Sequence, residues 1–302
     1  MTRIAVLIPC HNEAITIAKV VSDFRMALPE AEVHVFDNAS TDATVQEALS
    51  AGARVHQVPS RGKGFVVRAM FRDVEADVYL MVDGDDTYPA SQARELLAPV
   101  LESSADMVVG SRLERHAESA FRPLHGFGNR LVRTVLSRLF GVHLADVLSG
   151  YRAFSPRFVR SMPVLSQGFE IETELTVFAL VHGLVLREVP VRYGARPEGS
   201  VSKLHTYRDG FRVLRTILFL YKDFRPLPFF GAIAAIAILA GLAFGSIVIL
   251  EFAATGRVTH PSTAVLAVAA VLSGMLSLAT GLVLDTVNRR SMEILRWLID
   301  RR

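Results

Sequence analysis

The chain has a single cysteine, Cys10, in 302 residues. That excludes an internal disulfide and fits a reducing compartment. Net charge is only +3, too little to point to nucleic acid, so where the basic residues lie matters more than their sum. There is no internal repeat and no low-complexity tract. A secretory leader is not expected: "IAVLIPC" is too short for the apolar region of one and runs straight into His11, Asn12 and Glu13. Charge itself is missing from two long stretches, 226–250 and 263–284. Each exceeds the roughly 20 apolar residues needed to cross a bilayer. Only the short segment "EFAATGRVTHPS" separates them, so a transmembrane hairpin is expected.

The flanks of the hairpin orient it. Lys222 and Arg225 precede the first stretch, and Arg289, Arg290, Arg296, Arg301 and Arg302 follow the second, whereas the connection offers only Arg257. The positive-inside rule then places the N-terminal domain and both termini in the cytoplasm. The membrane would be the cell inner or plasma membrane, or the endoplasmic reticulum in a eukaryote. Oligomeric state stays open, a homo-oligomer through small residues of the spans being one reading.

Ahead of the hairpin, the chain is long enough for a globular domain of about 200 residues. Residues 4–9, 33–36, 54–58, 78–82 and 107–109 read as short strands, and 15–27, 42–51, 64–75 and 91–101 as helices. Such alternation predicts a mostly parallel α/β sheet. Polar motifs follow four of the strands: "HNE", "DNASTD", "DGDD" and "GSR". Ligands of open α/β sheets bind at the carboxyl ends of strands, so these motifs gather at one edge and make a site.

Two later segments are cationic and amphipathic. Residues 127–140 set Leu131, Val132, Val135, Leu136, Leu139 and Phe140 against Arg130, Arg133 and Arg138. Residues 207–225 carry five basic and two acidic groups and oppose Phe211, Leu214, Leu218 and Tyr221 to Arg208, Arg212 and Arg215. Beside a membrane hairpin, both read as helices lying in the interface.

The stretch "VYLMVDGDDTYP" carries the chemistry. An apolar run ends in Asp83, Asp85 and Asp86, like charges whose repulsion a divalent cation and its diphosphate would relieve. Magnesium and manganese favour carboxylates, water and substrate phosphate oxygens. In "SRGKGF", Gly62 and Gly64 allow close backbone approach and Lys63 brings a cation for phosphate, but the spacing is not that of a Walker loop.

Laid in order, "IPCHNE", "DNASTDAT", "RGKG", "VDGDDTYP", "GSR", "SGYRAF" and "RPEGSVSKL" resemble the signatures of family 2 glycosyltransferases. The likeness is to the polyprenyl-phosphate glycosyltransferases of dolichol-phosphate mannose synthase type and covers roughly residues 3–225. The resemblance implies a GT-A fold (a Rossmann-like, mostly parallel sheet), a nucleotide-diphosphate sugar as donor, a divalent metal (Mg2+ or Mn2+) and inversion at the anomeric centre. It implies an undecaprenyl or dolichyl phosphate as acceptor, and a product for glycan or glycoconjugate assembly. By the same resemblance Pro9, His11, Glu13 and Asp37 hold base and ribose, and Asp83 and Asp85 bind the metal. Arg112 and Arg130 grip the acceptor phosphate. Arg196, Ser202 and Lys203 match the late basic motif over the diphosphate. Thr87 stands where mannose-synthase-type relatives often have Gln. The expected organisation is a catalytic domain over 1–204, a juxtamembrane helix over 205–225, two spans over 226–288 and a basic tail over 289–302.

A lipid monophosphate has a second pKa near 6, so it is already a nucleophile and needs no strong base. The leaving diphosphate is the harder part. Metal at Asp83 and Asp85, with Lys63, Arg196 or Lys203, would stabilise it. Asp146, in "ADVLSGYRAF", is the acid to watch as base or positioning group, against a structural role capping the local backbone or pairing with Arg152. Glu172 is either a sugar contact or an early-helix acid that favours the dipole. The rival readings are weaker. A processive polysaccharide synthase would carry Gln-x-x-Arg-Trp before its pore helices, where this chain has only "EILRW" after the last span. A nucleotidyltransferase would open with a glycine-rich loop in place of "CHNE". A glycosyltransferase for another lipid or glycan acceptor is a further alternative, and the retained acids and basic motif argue against a silent sugar-nucleotide scaffold.

Overall fold

The computed structural model describes residues 2–112, 133–138, 141–164, 170–197 and 221–300, with 166, 168, 199, 215 and 217–219 between them. The chain divides into two compact units, Met1–Ile217 and Leu218–Arg302.

In the first unit the elements run β1 (Ile4–Cys10), α1 (Ile17–Ala27), β2 (Ala31–Asp37), α2 (Thr44–Ser50), β3 (Arg54–Gln57), α3 (Lys63–Asp73), β4 (Val78–Met81) and α4 (Ala93–Leu101). They continue with β5 (Met107–Arg112), β6 (Arg152–Phe154), α5 (Pro156–Ser161), α6 (Ile171–Val181) and β7 (Leu186–Val191). One seven-stranded sheet results, in the order β3-β2-β1-β4-β6-β5-β7. Every pairing is parallel except those of β6, which is antiparallel to β4 and to β5. The expected α/β class and mostly parallel sheet are thus the observed ones.

β1 shows why the sheet is covered on both faces. Its side chains alternate: Ile4, Val6 and Ile8 pack in the cluster that holds Val20, Val21 and Phe24 of α1 and Leu96 and Leu97 of α4. Ala5 and Leu7 face the opposite cluster, with Val66, Val67 and Met70 of α3 and Leu175 and Phe178 of α6. A strand apolar on both faces belongs in the middle of such a sandwich. Because β1 lies between β2 and β4, the chain reverses its direction of winding there. The carboxyl ends of β1 and β4 therefore frame a switch-point crevice.

Two strands are absent from the sequence reading. β6 has only three residues, and one of them, Arg152, is fully buried. β7, "LREVPV", mixes Arg187, Glu188 and Pro190 into an edge strand, where proline is tolerated. Helix α2 begins two residues later than expected because the Asp42 carboxylate accepts the Thr44 N–H and hydroxyl, a local turn that competes with the helix.

His34 on β2 and His56 on β3 form a pair, Nδ1 to Nε2 at 3.0 Å, and His56 stacks on Phe36 at 4.4 Å. Burial, and then the charge of His56, pushes His34 below its ordinary 6.5; burial does the same to His56. Glu32, Arg54 and Asp73 are the charged groups acting on the pair. The unfolded chain takes up protons at about 6.5 that the folded chain refuses, so stability is full above that pH and falls as pH drops below it. Thermal unfolding should show a lower midpoint at pH 5.5 than at pH 8, and His34→Gln should flatten that slope; an unchanged slope would contradict the assignment.

The second unit holds α7 (Pro226–Thr255) and α8 (Pro261–Asp300). Pro226–Thr255 and Pro261–Ser291 have mean hydropathies of 2.7 and 2.1 over their most apolar windows and are long enough to cross a membrane. Side chains such as Ile236, Leu239 and Leu276 point outward, the arrangement lipid permits and water penalises. Gly256, left-handed at φ 67°, ends α7 and donates its N–H to the Phe252 carbonyl at 2.8 Å. Small residues let the two helices touch. A Cβ on Gly241 would meet the Ala267 carbonyl at 2.8 Å, and one on Gly274 the Ala234 carbonyl at 2.9 Å, the close approach typical of membrane helix pairs. The basic stretch expected as a tail is continuous with α8 as far as Asp300. The segments expected as interfacial helices are helical where described, at 133–138 and at 215, 217–219 and 221–224; the rest of both lies outside the described residues.

Candidate active site

The loops after β1 and β2 clasp each other. Asn12 donates its N–H to the Ser40 hydroxyl at 2.9 Å, Thr41 N–H returns to Asn12 Oδ1 at 2.7 Å, and Glu13 N–H donates to the Thr44 hydroxyl at 2.8 Å. Asn38 then ties β2 to the "RGKG" turn. Its amide donates to the Ser60 carbonyl at 2.7 Å and its oxygen accepts the Gly62 N–H at 2.7 Å. The sequence marks Asn38 only as part of "DNASTD"; its place beside Asp37 at a buried strand end is the signal for this role. Among the described residues four non-glycines are left-handed, and three of them, Asn12, Ala39 and Asp86, lie in the loops after β1, β2 and β4. Strain of this kind collects at functional sites. Asp37 is buried, and its Oδ1 has no hydrogen-bond partner among the described residues. A buried acceptor in that condition fits a ligand that brings an N–H or O–H.

The two acids of "DGD" sit across this crevice, just past β4. Gly84 is required between them, since a Cβ there would lie 2.5 Å from Cys10 Sγ, while its carbonyl accepts the Thr16 hydroxyl at 2.6 Å. Asp83 Oδ1 is 2.5 Å from Lys63 Nζ, which also lies 2.5 Å from Glu172 Oε1. Asp85 Oδ2 is 2.5 Å from Arg196 Nη2, and Asp85 Oδ1 accepts the Thr87 hydroxyl at 2.6 Å. Arg196 reaches Glu13 as well, at 3.9 Å. Burial, and next the Asp83 carboxylate, pushes Asp85 above its ordinary 3.8, opposed by Arg196 and Thr87. Burial by itself disfavours the Lys63 ammonium, but Asp83 and Glu172 outweigh it and hold the pKa above 10.5. Lys63 is therefore a fixed cation.

A second charged pair stands at the end of β5. Arg112 donates to Asp146 twice, Nε to Oδ2 at 2.5 Å and Nη2 to Oδ1 at 2.9 Å, a planar fork. The Asp146 loop is fixed from below by Glu188 of β7, whose carboxylate accepts the N–H groups of Ala145 and Asp146 at 2.9 Å. Of the structural alternatives, Asp146 does not pair with Arg152, but it does cap its own loop, its Oδ1 accepting the Leu148 N–H at 3.1 Å. Arg152 is a core residue that donates to the carbonyls of Val147 and Ser149 at 2.6 and 2.9 Å and to the Thr176 hydroxyl at 3.0 Å.

Aromatic residues and Gly150 join the two clusters. Arg112 lies over the Tyr193 ring at 5.4 Å, and Tyr193 meets Tyr88 edge-on at 5.2 Å. Tyr88 accepts the Gly150 N–H at 3.2 Å, and a Cβ on Gly150 would come within 2.6 Å of the Asp83 carboxyl carbon. Burial pushes the Tyr88 and Tyr193 hydroxyls up, so both stay protonated donors. The structure thus gathers Glu13, Asp37, Lys63, Asp83, Asp85, Arg112, Asp146 and Arg196 around one crevice, with Pro9 and His11 on the end of β1 and the loop after it. Arg130, Ser202 and Lys203 lie outside the described residues. No cluster of three or more His, Cys, Asp or Glu arranged to hold a metal exists among the described residues. Two carboxylates of hard oxygen still fit magnesium or manganese, which keep water and phosphate oxygens as further ligands.

Residues 5–161 match the model of glycosyl transferase family 2, and the chain belongs to that family. It is 35% identical to glycosyltransferase AglJ of Haloferax volcanii over 285 residues, 94% of this chain and 93% of the relative. It is 28% identical to the dolichyl-phosphate hexose transferase of the same organism over 216 residues, 71% of this chain and 92% of that one. The fold resembles that of Mycobacterium tuberculosis glucosyl-3-phosphoglycerate synthase, crystallised with Mn2+, UDP and phosphoglyceric acid. That likeness has a TM-score of 0.60 at 24% identity, over 73% of this chain and 78% of that one.

Proposed function

We propose that this glycosyltransferase moves a hexose from a UDP- or GDP-linked sugar onto a membrane polyprenyl phosphate, with inversion at the anomeric carbon. The observation that carries the reading is the paired Asp83 and Asp85 at the switch-point crevice, each already matched to a cation, Lys63 and Arg196. That a relative is named for transferring hexose to dolichyl phosphate supports the acceptor class.

In this reading Asp37 and the clasped loops after β1 and β2 receive the nucleoside, and the buried Asp37 Oδ1 accepts from it. Asp83 and Asp85 would hold a magnesium or manganese ion, whose charge stabilises the departing nucleoside diphosphate. Lys63 and Arg196 contribute fixed positive charge to the same group. Arg112 is assigned to the acceptor phosphate, with Arg130 given the same task, and Asp146 orients Arg112. A phosphate oxygen of the dianionic lipid attacks the anomeric carbon, the bond to the diphosphate breaks on the opposite face, and no proton has to be removed. Ser202 and Lys203 are assigned to the donor side. The apolar hairpin keeps the enzyme in the bilayer where such an acceptor resides, with the catalytic domain and both termini on the cytoplasmic side.

Incubation of the purified, detergent-solubilised protein with polyprenyl phosphate and labelled UDP- and GDP-sugars tests this. Label is expected in the lipid phase from one donor, and chelator should abolish it. No lipid label from any donor, from a folded protein, would redirect the reading to another acceptor or to a silent scaffold.

A further inference from the structure

The crevice holds more negative charge than the acids of "DGD". Glu172 lies on the first turn of α6 with its side chain only 5% exposed, and it shares Lys63 with Asp83, both at 2.5 Å. Lys63 itself is 10% exposed. Arg196 likewise bridges Asp85 at 2.5 Å and Glu13 at 3.9 Å. Each acid of the pair is thus neutralised by a cation that also has a second carboxylate to hold it. Like charges as close as these could not otherwise stay ionised together.

We propose that Lys63 and Arg196 are internal counterions of Asp83 and Asp85, displaced when a divalent cation binds, and that Glu172 is the positioning residue that retains Lys63 after it leaves Asp83. This rests on the reading of Asp83 and Asp85 as the metal pair. A divalent cation and the ammonium of Lys63 compete for the same Asp83 oxygens, so metal binding without nucleotide is opposed by the protein's own charge. A nucleoside diphosphate supplies the oxygens to which the released Lys63 and Arg196 can turn. Cation and nucleotide then assist each other's binding, and by reciprocity the factor is the same in both directions. Glu172 sets the balance. With it, Lys63 has a station away from the metal; without it, Lys63 has Asp83 as its remaining carboxylate and grips it harder.

Two substitutions should therefore act in opposite directions, which damage to packing would not produce. Lys63→Met combined with Glu172→Gln removes the competing cation and its partner together, leaving no unpaired charge at either position. Mn2+ titration of the purified full-length protein, followed by electron paramagnetic resonance, reads the effect without requiring turnover. In the absence of nucleotide the double variant should bind Mn2+ about tenfold tighter than wild type, the scale of one close charge pair. Glu172→Gln alone should bind it more weakly. Addition of UDP or GDP should tighten Mn2+ binding in wild type, and that gain should shrink in the double variant.

Wild-type affinity in both variants, or shifts of the same sign, would overturn the displacement. If Mn2+ binds wild type and is lost in Asp83→Asn and Asp85→Asn, the metal pair stands whatever the counterion variants do. If wild type binds no Mn2+ even with UDP or GDP, the metal pair fails and the displacement fails with it.

Discussion

Asp85→Asn is expected to lower sugar transfer by about a thousandfold or more, the scale of losing preorganised charge stabilisation at a leaving group, while the protein still folds. Asparagine has nearly the same volume and keeps an oxygen to accept the Thr87 hydroxyl, now 2.6 Å from Asp85 Oδ1. What disappears is the charge. Asp85 is 4% exposed, and burial already works against its ionised form, so neutralising it relieves a desolvation penalty and leaves the sheet intact. Arg196 loses one partner but keeps Glu13 at 3.9 Å and is a quarter exposed, so it is not stranded in the core. Activity and stability therefore separate. Circular dichroism and unfolding midpoints should match wild type, and initial rates of transfer should not. Transfer within a few-fold of wild type would remove Asp85 from the chemistry.

The second large effect is at the Arg112 fork. Arg112→Lys keeps the positive charge but replaces a planar double donor with a point charge. It should raise the KM for polyprenyl phosphate and lower kcat/KM for that substrate about a hundredfold, with the KM for the sugar nucleotide little changed. Asp146→Asn should move the same parameter in the same direction, because its role is to hold the guanidinium by two bonds at 2.5 and 2.9 Å. The two residues act as one unit, so the double variant should be little worse than the worse single one. Additive losses would mean that Asp146 acts on substrate by itself, as a base. A loss confined to the donor KM would place Arg112 on the nucleotide side.

Much of this arrangement is legible in the sequence because it is local. β1 and β4 are continuous apolar runs that end abruptly in "HNE" and "DGDD", and a buried strand followed by polar residues needs no tertiary information to be recognised. The same holds for the hairpin, where the absence of charge over more than a membrane's thickness suffices. What the pattern hides are partners distant in the chain. Lys63 and Glu172, separated by more than a hundred residues, meet only because α3 and α6 cover the same face of the sheet. Glu172 on its own reads as a sugar contact or as an acid favouring the start of a helix, not as a partner of Lys63. Glu188 is invisible for a similar reason: its three acceptor contacts are to backbone N–H groups of a loop some forty residues earlier. Arg152 misleads in the opposite sense, because a charged residue inside "YRAF" breaks the apolar run that would announce β6. The buried guanidinium is satisfied by two carbonyls and a hydroxyl, a solution that no sequence window contains. The far end of α8 is hidden too, since a helix that continues past its apolar stretch becomes polar and looks like a tail.

The central claim is that the acceptor is a polyprenyl phosphate, and mass spectrometry of the lipid product tests it most directly. The purified protein would be given undecaprenyl or dolichyl phosphate, the donor selected from the labelled panel and magnesium or manganese. The lipid extract should contain polyprenyl phosphate carrying one hexose, formed in equal amount to the nucleoside diphosphate released, and neither product should appear with Asp85→Asn. Nucleoside diphosphate released with free hexose, or hexose attached to a lipid lacking phosphate, would contradict the claim.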